Sequence, residues 1–94
     1  MKSQERLCFI AHEYVKPEKW PTLRGIEAFW DDQTLKISFY FKEEVNDSLK
    51  EDASVLATEI LAQYVDGQLE ENYLYLPCTV PLPEGPAWIY KNPT

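Results

Sequence analysis

The stretch SLKEDASVLATEILAQYVDG, residues 48–67, constrains the fold more than any other part of the sequence. Its apolar residues recur at steps of three and four, as on one face of a helix: Leu49, Ala53, Leu56, Ile60 and Tyr64. Ser48 followed by Glu51 is a capping-box pattern at its start. Asn46 and Asp47 are rival caps, and Gly67 can end the helix in the left-handed conformation. We therefore predict an amphipathic helix over residues 48–66, and its apolar face needs a sheet to cover.

Segments with their own periodicity lie on both sides of this helix. Helical spacing at the amino-terminal end predicts a first helix over residues 3–15. Period-two alternation predicts strands over 23–31 and 34–42, and the polar connection between them is short enough to make them an antiparallel hairpin. Two further strands are predicted over 69–77 and 87–91. The proline-rich stretch between them, CTVPLPEGP, cannot form a long ladder because proline donates no hydrogen bond.

The order of these elements, α-β-β-α-β-β, predicts an α+β fold. We expect a two-layer sandwich in which both helices lie on one face of a mostly antiparallel four-stranded sheet. The connection through the second helix leaves open which strand of the hairpin neighbours the third strand. With 94 residues, the chain is predicted to form a single domain over 1–94, because a second core would leave each half too small.

The charge of the chain restricts its partners. Sixteen Asp and Glu against nine Lys and Arg give a net charge of −7 and a pI of about 4.6. Such a surface repels nucleic acid and anionic membrane, and it raises the encounter rate with basic partners. The alternative explanation is that the acidity only keeps the domain dispersed in solution.

The lengths of the apolar runs and the spacing of the cysteines indicate the cellular compartment of the protein. The apolar run at residues 7–11 is shorter than the core of a signal peptide, and no run approaches the roughly 18 apolar residues of a spanning helix. Cys8 and Cys78 are far apart and share no C-x-x-C spacing, so we interpret both as reduced thiols, with a disulfide as the alternative. We expect a soluble, cytoplasmic protein.

No pattern in the sequence predicts catalysis, a metal or a cofactor. His12 and Glu13 begin an H-E-x-x-H match, but the fifth position is Lys16 rather than histidine. The three glycines are isolated, so no phosphate-binding loop exists, and a cysteine on an apolar helix, like Cys8, or beside a proline, like Cys78, is usually inert. We therefore predict a protein that is not an enzyme.

The outward face of the predicted hairpin is the strongest candidate for a binding surface. It carries Phe29 and Tyr40, to which Tyr73 or Tyr75 can add a ring, and carboxylates border it. Phosphates would be repelled there, whereas a basic protein finds aromatic anchors and steering charges. The predicted partner-binding residues are Glu27, Phe29, Asp31, Asp32, Tyr40, Glu43 and Glu44.

The stretch LRGIEAFWDDQTLKISFYFKEEVNDSLKEDASVLATEILAQY, together with the proline-rich stretch and WIYKN, resembles a group of small bacterial proteins. These are similar to the immunity proteins of bacterial toxin systems, including contact-dependent growth inhibition. The resemblance covers roughly residues 23–90 and lies in core and turn residues, so it transfers no binding residue. It implies a cytoplasmic immunity protein that neutralises a cognate toxin, often a basic nuclease domain.

Two other classes of function compete with immunity. The chain could be a regulatory or structural interaction module, including a homodimer paired through an edge strand or through its aromatic sheet face. It could also bind a small molecule, or act as a minor enzyme, in a cleft between the helices and the proline-rich loop.

Overall fold

The computed structural model describes residues 3–64 and 66–92. In this part of the chain two α-helices and four strands follow one another in the predicted order α-β-β-α-β-β. They are α1 (Gln4–Tyr14), β1 (Leu23–Asp31), β2 (Thr34–Phe41), α2 (Asp47–Leu61), β3 (Gln68–Tyr75) and β4 (Trp88–Lys91), with a short 3-10 helix (Pro17–Lys19) after α1. The α+β class is thus confirmed. Except for α2, the observed bounds lie within one or two residues of the predicted ones.

The helix α2 is shorter than the predicted 48–66 and starts from a different cap. The side chain of Asn46, rather than Ser48, accepts the Leu49 N–H at 2.8 Å. The helix ends at Leu61, and the ring of Tyr64 then packs edge-on against Trp30, with centroids 4.9 Å apart. Residue 65, which the predicted helix includes, lies outside the described residues.

Gly67 has a different role from the predicted helix closure. It directly precedes β3 with φ 154, a conformation that favours glycine. A Cβ atom there would lie 2.8 Å from the Trp30 ring. Glycine is therefore required for the chain to pass this ring, and the prediction that Gly67 ends the helix is wrong.

The four strands form one mixed sheet in the order β3-β2-β1-β4. The hairpin β1–β2 is antiparallel, as predicted, and β4 is antiparallel to the other side of β1. The strand β3, however, runs parallel to β2, from Thr34↔Gln68 to Phe41↔Tyr75. The prediction of a mostly antiparallel sheet missed this pairing. Its cause is the crossover: α2 carries the chain back over one face, so β3 begins at the same end of the sheet as β2.

Both helices lie on one face of the sheet, and the core is between the two layers. The helix α1 covers the β1 and β4 side, and α2 covers β2 and β3. The largest fully buried side chains are Phe39, Phe41, Leu7, Leu23, Ile26, Leu35, Ile37 and Ile60. Each such burial stabilises the fold by about 1.5–3 kcal/mol relative to exposure. The predicted amphipathic faces of both helices are therefore the faces that the sheet buries.

Cys8 and Cys78 are both free thiols. Cys8 is half-buried and its Sγ lies 3.6 Å from the Trp88 carbonyl oxygen, whereas Cys78 is exposed. No disulfide joins them. Within residues 3–64 and 66–92, neither helix is long and apolar enough to cross a membrane.

Candidate functional site

The face of the sheet opposite the helices is the main candidate site, and we call it the open face. Side chains alternate along each strand, so the neighbours of the buried core residues point to this face. The register places Phe29 beside Lys36 and Lys36 beside Glu70. The open face consists of Glu27, Phe29, Asp31, Thr34, Lys36, Ser38, Tyr40, Gln68, Glu70, Asn72 and Leu74. Neither described helix covers it.

Two apolar side chains are accessible on the open face. Phe29 is 44% exposed and Leu74 is 41% exposed. Beside Phe29, the ammonium of Lys36 lies 3.1 Å from a carboxylate oxygen of Asp31. The hydrogen bond to Asp31, and then the negative charge of Glu70, raise the pKa of Lys36. The centre of the face is therefore closer to neutral than the charge of the whole chain suggests.

Residues 76–87, which we call the strap, cover the end of the open face where β1 begins. Arg24 holds the start of the strap, because its guanidinium donates to the carbonyl oxygens of Leu76, Pro77 and Val80 at 3.1, 2.9 and 2.6 Å. At the other end, the Ala28 N–H donates to the Ala87 carbonyl at 2.9 Å.

The last residues of the strap are held by β4. The indole of Trp88 donates to the Pro83 carbonyl, also at 2.9 Å. The proline-rich stretch is thus an ordered connection across the sheet.

Tyr40 is buried although it lies on the open face, so the prediction that its ring is accessible to a partner is wrong. It is 9% exposed, and the ring of Trp88 packs on it with centroids 5.1 Å apart. The hydroxyl of Tyr40 donates a hydrogen bond to Oε1 of Glu27. Burial first, and then this hydrogen bond and the negative charge of Glu27, raise the pKa of Tyr40 to about 12. Tyr40 is therefore held by Trp88 and Glu27 together.

The remaining predicted site residues are divided between the two ends of β2. Asp31 and Asp32 are exposed at the turn of the hairpin, where Asp32 has a left-handed φ of 56. Glu43 and Glu44 are exposed beyond the other end of β2. At about 3.3 Å per residue, the strand keeps these two pairs roughly 25 Å apart. The seven predicted residues therefore do not form one patch.

Tyr73 lies on the helix side of the sheet and not on the open face. Its ring stacks on Phe39, with centroids 5.9 Å apart, because the parallel register places these residues side by side. Its hydroxyl donates to Oε1 of Glu71, and Ser54 Oγ donates to Oε2 of the same carboxylate at 3.2 Å. Burial, followed by the contact with Glu71, raises the pKa of Tyr73 to about 12. Tyr75, two residues on, is 52% exposed.

Two concave regions lie on the helix layer. A groove of about 560 Å³ runs between α1, the 3-10 helix and α2, and Trp20 and Val55 line it together with charged side chains of both signs. A neighbouring cavity of about 500 Å³ includes Phe9, which is 67% exposed. Pro83 of the strap accepts a hydrogen bond from Trp88 on the open face, and no strap residue lines either of these two cavities, which are therefore not the cleft predicted between the helices and the proline-rich loop. Among the described residues, no group of three or more His, Cys, Asp and Glu could hold a metal ion.

Sequence reasoning missed two residues that shape the open face. Arg24 and Trp88 together fix the strap, and neither was predicted to have a role. One signal pointed to Arg24, since an arginine between the buried residues Leu23 and Ile26 needs acceptors for its five donors. For Trp88, the period-two pattern in WIYK separates it from the buried Ile89 and so assigns it to the other face.

Comparisons with known proteins identify the family. A comparison with curated proteins finds no match for the chain. A family model described as MafI2 immunity protein matches residues 20–92. The match covers the whole sheet, α2 and the strap, and it begins after α1. It confirms the resemblance to toxin-immunity proteins that the sequence indicated. The chain belongs to the MafI2 immunity protein family.

Proposed function

We propose that this chain is a cytoplasmic immunity protein that binds a cognate toxin, a basic nuclease domain, and blocks it through the accessible part of the open face. Membership of an immunity protein family implies a role in toxin immunity and a toxin as partner. One observation supports the surface above all. The matched residues include all four strands, and their sheet leaves Phe29 and Leu74 uncovered on the side away from the helices.

Phe29 is the anchor of the proposed contact. Aromatic side chains at the centre of an interface supply large contact areas at a low cost in conformational entropy. Leu74 is a second, separate apolar side chain near the other end of the open face, while the Asp31–Lys36 pair and Glu70 offer polar contacts around Phe29. Neutralisation then requires only that the bound protein occupy the substrate surface of the toxin, without a chemical step. Immunity protein families are generally non-enzymatic.

The charges predicted as contacts take two different roles in this proposal. Asp31 and Asp32 border the anchor directly. Glu43 and Glu44 lie at the far end of β2 and act by attracting a basic domain from a distance, together with the charge of −7 of the whole chain. The association rate should therefore fall as salt is added, because the Debye length drops from about 10 Å at 0.1 M to about 3 Å at 1 M.

A pair of phenylalanine variants tests the surface. We expect Phe29→Ala to weaken binding to the toxin domain encoded beside this chain about 30-fold, which corresponds to the roughly 2 kcal/mol of a central aromatic anchor. Phe9→Ala is the matched control, since Phe9 is more exposed but lies on α1, outside the matched residues. It should change the affinity less than about twofold.

Two results would contradict the proposal. If the unmodified chain neither co-elutes with that toxin domain nor protects cells from it, the immunity function fails. If Phe9→Ala abolishes binding while Phe29→Ala leaves it unchanged, the contact surface is the helix layer and the open face is wrong. Calorimetric titration of the two variants distinguishes these outcomes.

A further inference from the structure

The outer edge of β3 is the longest regular sheet edge that the described chain leaves without a partner. We propose that the toxin contributes an extended strand bearing Lys or Arg, which pairs with this edge as a fifth strand of the sheet. This inference rests on the proposed function and specifies how the toxin is held. It differs from a contact of side chains alone, because main-chain hydrogen bonds would provide the recognition.

The hydrogen-bond pattern identifies the groups that face outward. The N–H of Gln68 donates to Gln33 and the N–H of Leu76 donates to Phe41, both across to the β2 side, at 2.8 Å. In a strand the direction of the peptide groups alternates, so the even-numbered residues between them also face β2. The N–H and C=O groups of Leu69, Glu71, Tyr73 and Tyr75 therefore point away from the sheet. Because β3 is the terminal strand of the sheet, no described strand receives them.

This edge lacks a bulge, a proline and a lysine, three of the features that normally prevent pairing, and its charged side chains are the carboxylates of Glu70 and Glu71. Its register with β2 continues over all eight residues without a bulge, and the strand QLEENYLY contains no proline and no lysine. The opposite edge of the sheet is different. There β4 has four residues, and its pairing with β1 is interrupted by a register shift. A partner strand therefore finds a long, flat template only at β3.

The edge is also rigid before any partner arrives. The stacking of Tyr73 on Phe39 fixes the middle of the strand against the core. Ser54 of α2 and Tyr73 both donate to the carboxylate of Glu71, which ties the strand to the helix above it. A template that is already ordered costs less entropy to bind, so the main-chain bonds contribute more of their energy to affinity.

The charge of the edge determines the chemistry of the strand it would accept. Asp66, Glu70 and Glu71 lie in or just before β3, and residues 66–75 contain no lysine or arginine. A strand with basic side chains is attracted there, whereas a second copy of this chain brings the same carboxylates and a charge of −7.

Glu70 and Leu74 belong to the open face as well, so a strand paired with β3 would extend that face. At about 4.8 Å per strand, β1 with its Phe29 lies only about 10 Å from β3, so one toxin domain can contact both.

Amide exchange followed by NMR tests the pairing residue by residue. In the free chain, the amides of Glu70, Asn72 and Leu74 should exchange slowly, whereas those of Glu71, Tyr73 and Tyr75 should exchange rapidly. On addition of the toxin domain encoded beside this chain, the second group should become at least about tenfold slower while the first group changes little. Such an alternating pattern does not arise from side-chain contacts alone.

A proline variant tests the same edge by affinity. Tyr75→Pro removes one outward N–H and places a ring where the partner strand would lie, but it breaks no bond to β2. The matched control is Tyr75→Ala, which loses the same side chain and keeps the N–H. We expect Tyr75→Pro to bind the toxin about tenfold more weakly than Tyr75→Ala, because each lost bond of this kind is worth up to about 1.5 kcal/mol. Both variants should retain the slow exchange of the Leu74 amide, which shows that β3 still pairs with β2.

The possible outcomes separate this inference from the proposed function. Failure of the unmodified chain to bind the toxin overturns both. If the chain binds the toxin but all amides of β3 slow equally, the inference of an added strand is overturned and the proposed function is not. The same holds if Tyr75→Pro and Tyr75→Ala bind the toxin with equal affinity. If sedimentation shows a dimer of this chain and the outward amides are already slow without toxin, the edge belongs to a second copy and the inference is wrong.

Discussion

Replacing Arg24 with methionine should release the strap from the open face. Methionine keeps a long unbranched stem but donates no hydrogen bond, so the carbonyls of Leu76, Pro77 and Val80 lose their common donor. One guanidinium nitrogen carries two hydrogens and can satisfy about two of these three acceptors fully at one time. A hydrogen bond from a charged donor contributes about 1.5–3 kcal/mol, and the low end applies because the Val80 contact is exposed. The expected loss is about 3 kcal/mol in the free energy of unfolding.

Urea denaturation at pH 7 measures this loss, and Lys36→Met is the matched control. Lys36 is also a cation on a sheet strand, but its partner Asp31 is a surface carboxylate whose side chain is 61% exposed. Such exposed pairs contribute little to stability, because solvent screens them. Arg24→Met should therefore destabilise the chain by clearly more than Lys36→Met.

The titration of Tyr40 gives a second, independent measurement on the same variant. Trp88, whose indole donates to Pro83 of the strap, packs on Tyr40, and burial is the largest cause that raises the pKa of Tyr40 to about 12. When the strap is released, water reaches the ring, and the pKa should fall toward the ordinary value of 10. NMR of ring-labelled tyrosine follows this ionisation directly. If Arg24→Met leaves both the pKa of Tyr40 and the unfolding free energy equal to those of Lys36→Met, the account of Arg24 as the anchor of the strap is refuted.

Two further predictions concern the β3 side of the sheet. Gly67→Ala should destabilise the chain by about 2–4 kcal/mol in urea denaturation, because it combines an unfavourable φ with a Cβ atom 2.8 Å from the Trp30 ring. Gly85→Ala, whose Cβ would meet nothing closer than 3.8 Å, should change the stability by less than about 0.5 kcal/mol, and equal effects at the two glycines would contradict the argument. The pKa of Tyr73 is raised from 10 to about 12 in the folded chain. The contribution of its protonated hydroxyl to the free energy of unfolding is therefore complete below pH 10 and is lost as the pH rises through 12. The fall in unfolding free energy between pH 10 and 12 should therefore be smaller in Tyr73→Phe than in the unmodified chain. An identical fall in the two proteins would show that the ionisation of Tyr73 does not cause it.

The elements of the fold could be predicted because their periodicities are local. The apolar spacing around Leu56 and the alternation around Ile37 each need only a few neighbouring residues to be recognised, and the structure buries both. The parallel β3 could not be recognised in this way, since its direction depends on how α2 returns across the sheet. Within β3, the alternation of Leu74 with Tyr73 was visible, but which of them faces the core is decided by the register against Phe39.

The candidate site was less predictable than the fold for a similar reason. Alternation placed Phe29 on the face away from the helices, and there it is accessible. Tyr40 lies on the same face, but the ring of Trp88 packs on it. Trp88 is bonded to the strap, whose path depends on Arg24, about 50 residues away in sequence from the carbonyls it holds. The carboxylates at the two ends of β2 were grouped because they are close to the hairpin in sequence, whereas the length of the strand separates them in space.

The position of β1 has a consequence for the order in which the molecule is assembled. This strand is an inner strand of the sheet, yet one of its neighbours, β4, is the last of the described elements in the sequence. During synthesis, β2, α2 and β3 can therefore associate with β1 while its other side still lacks a neighbour. Until β4 emerges, that side is exposed to the solvent and to other nascent chains.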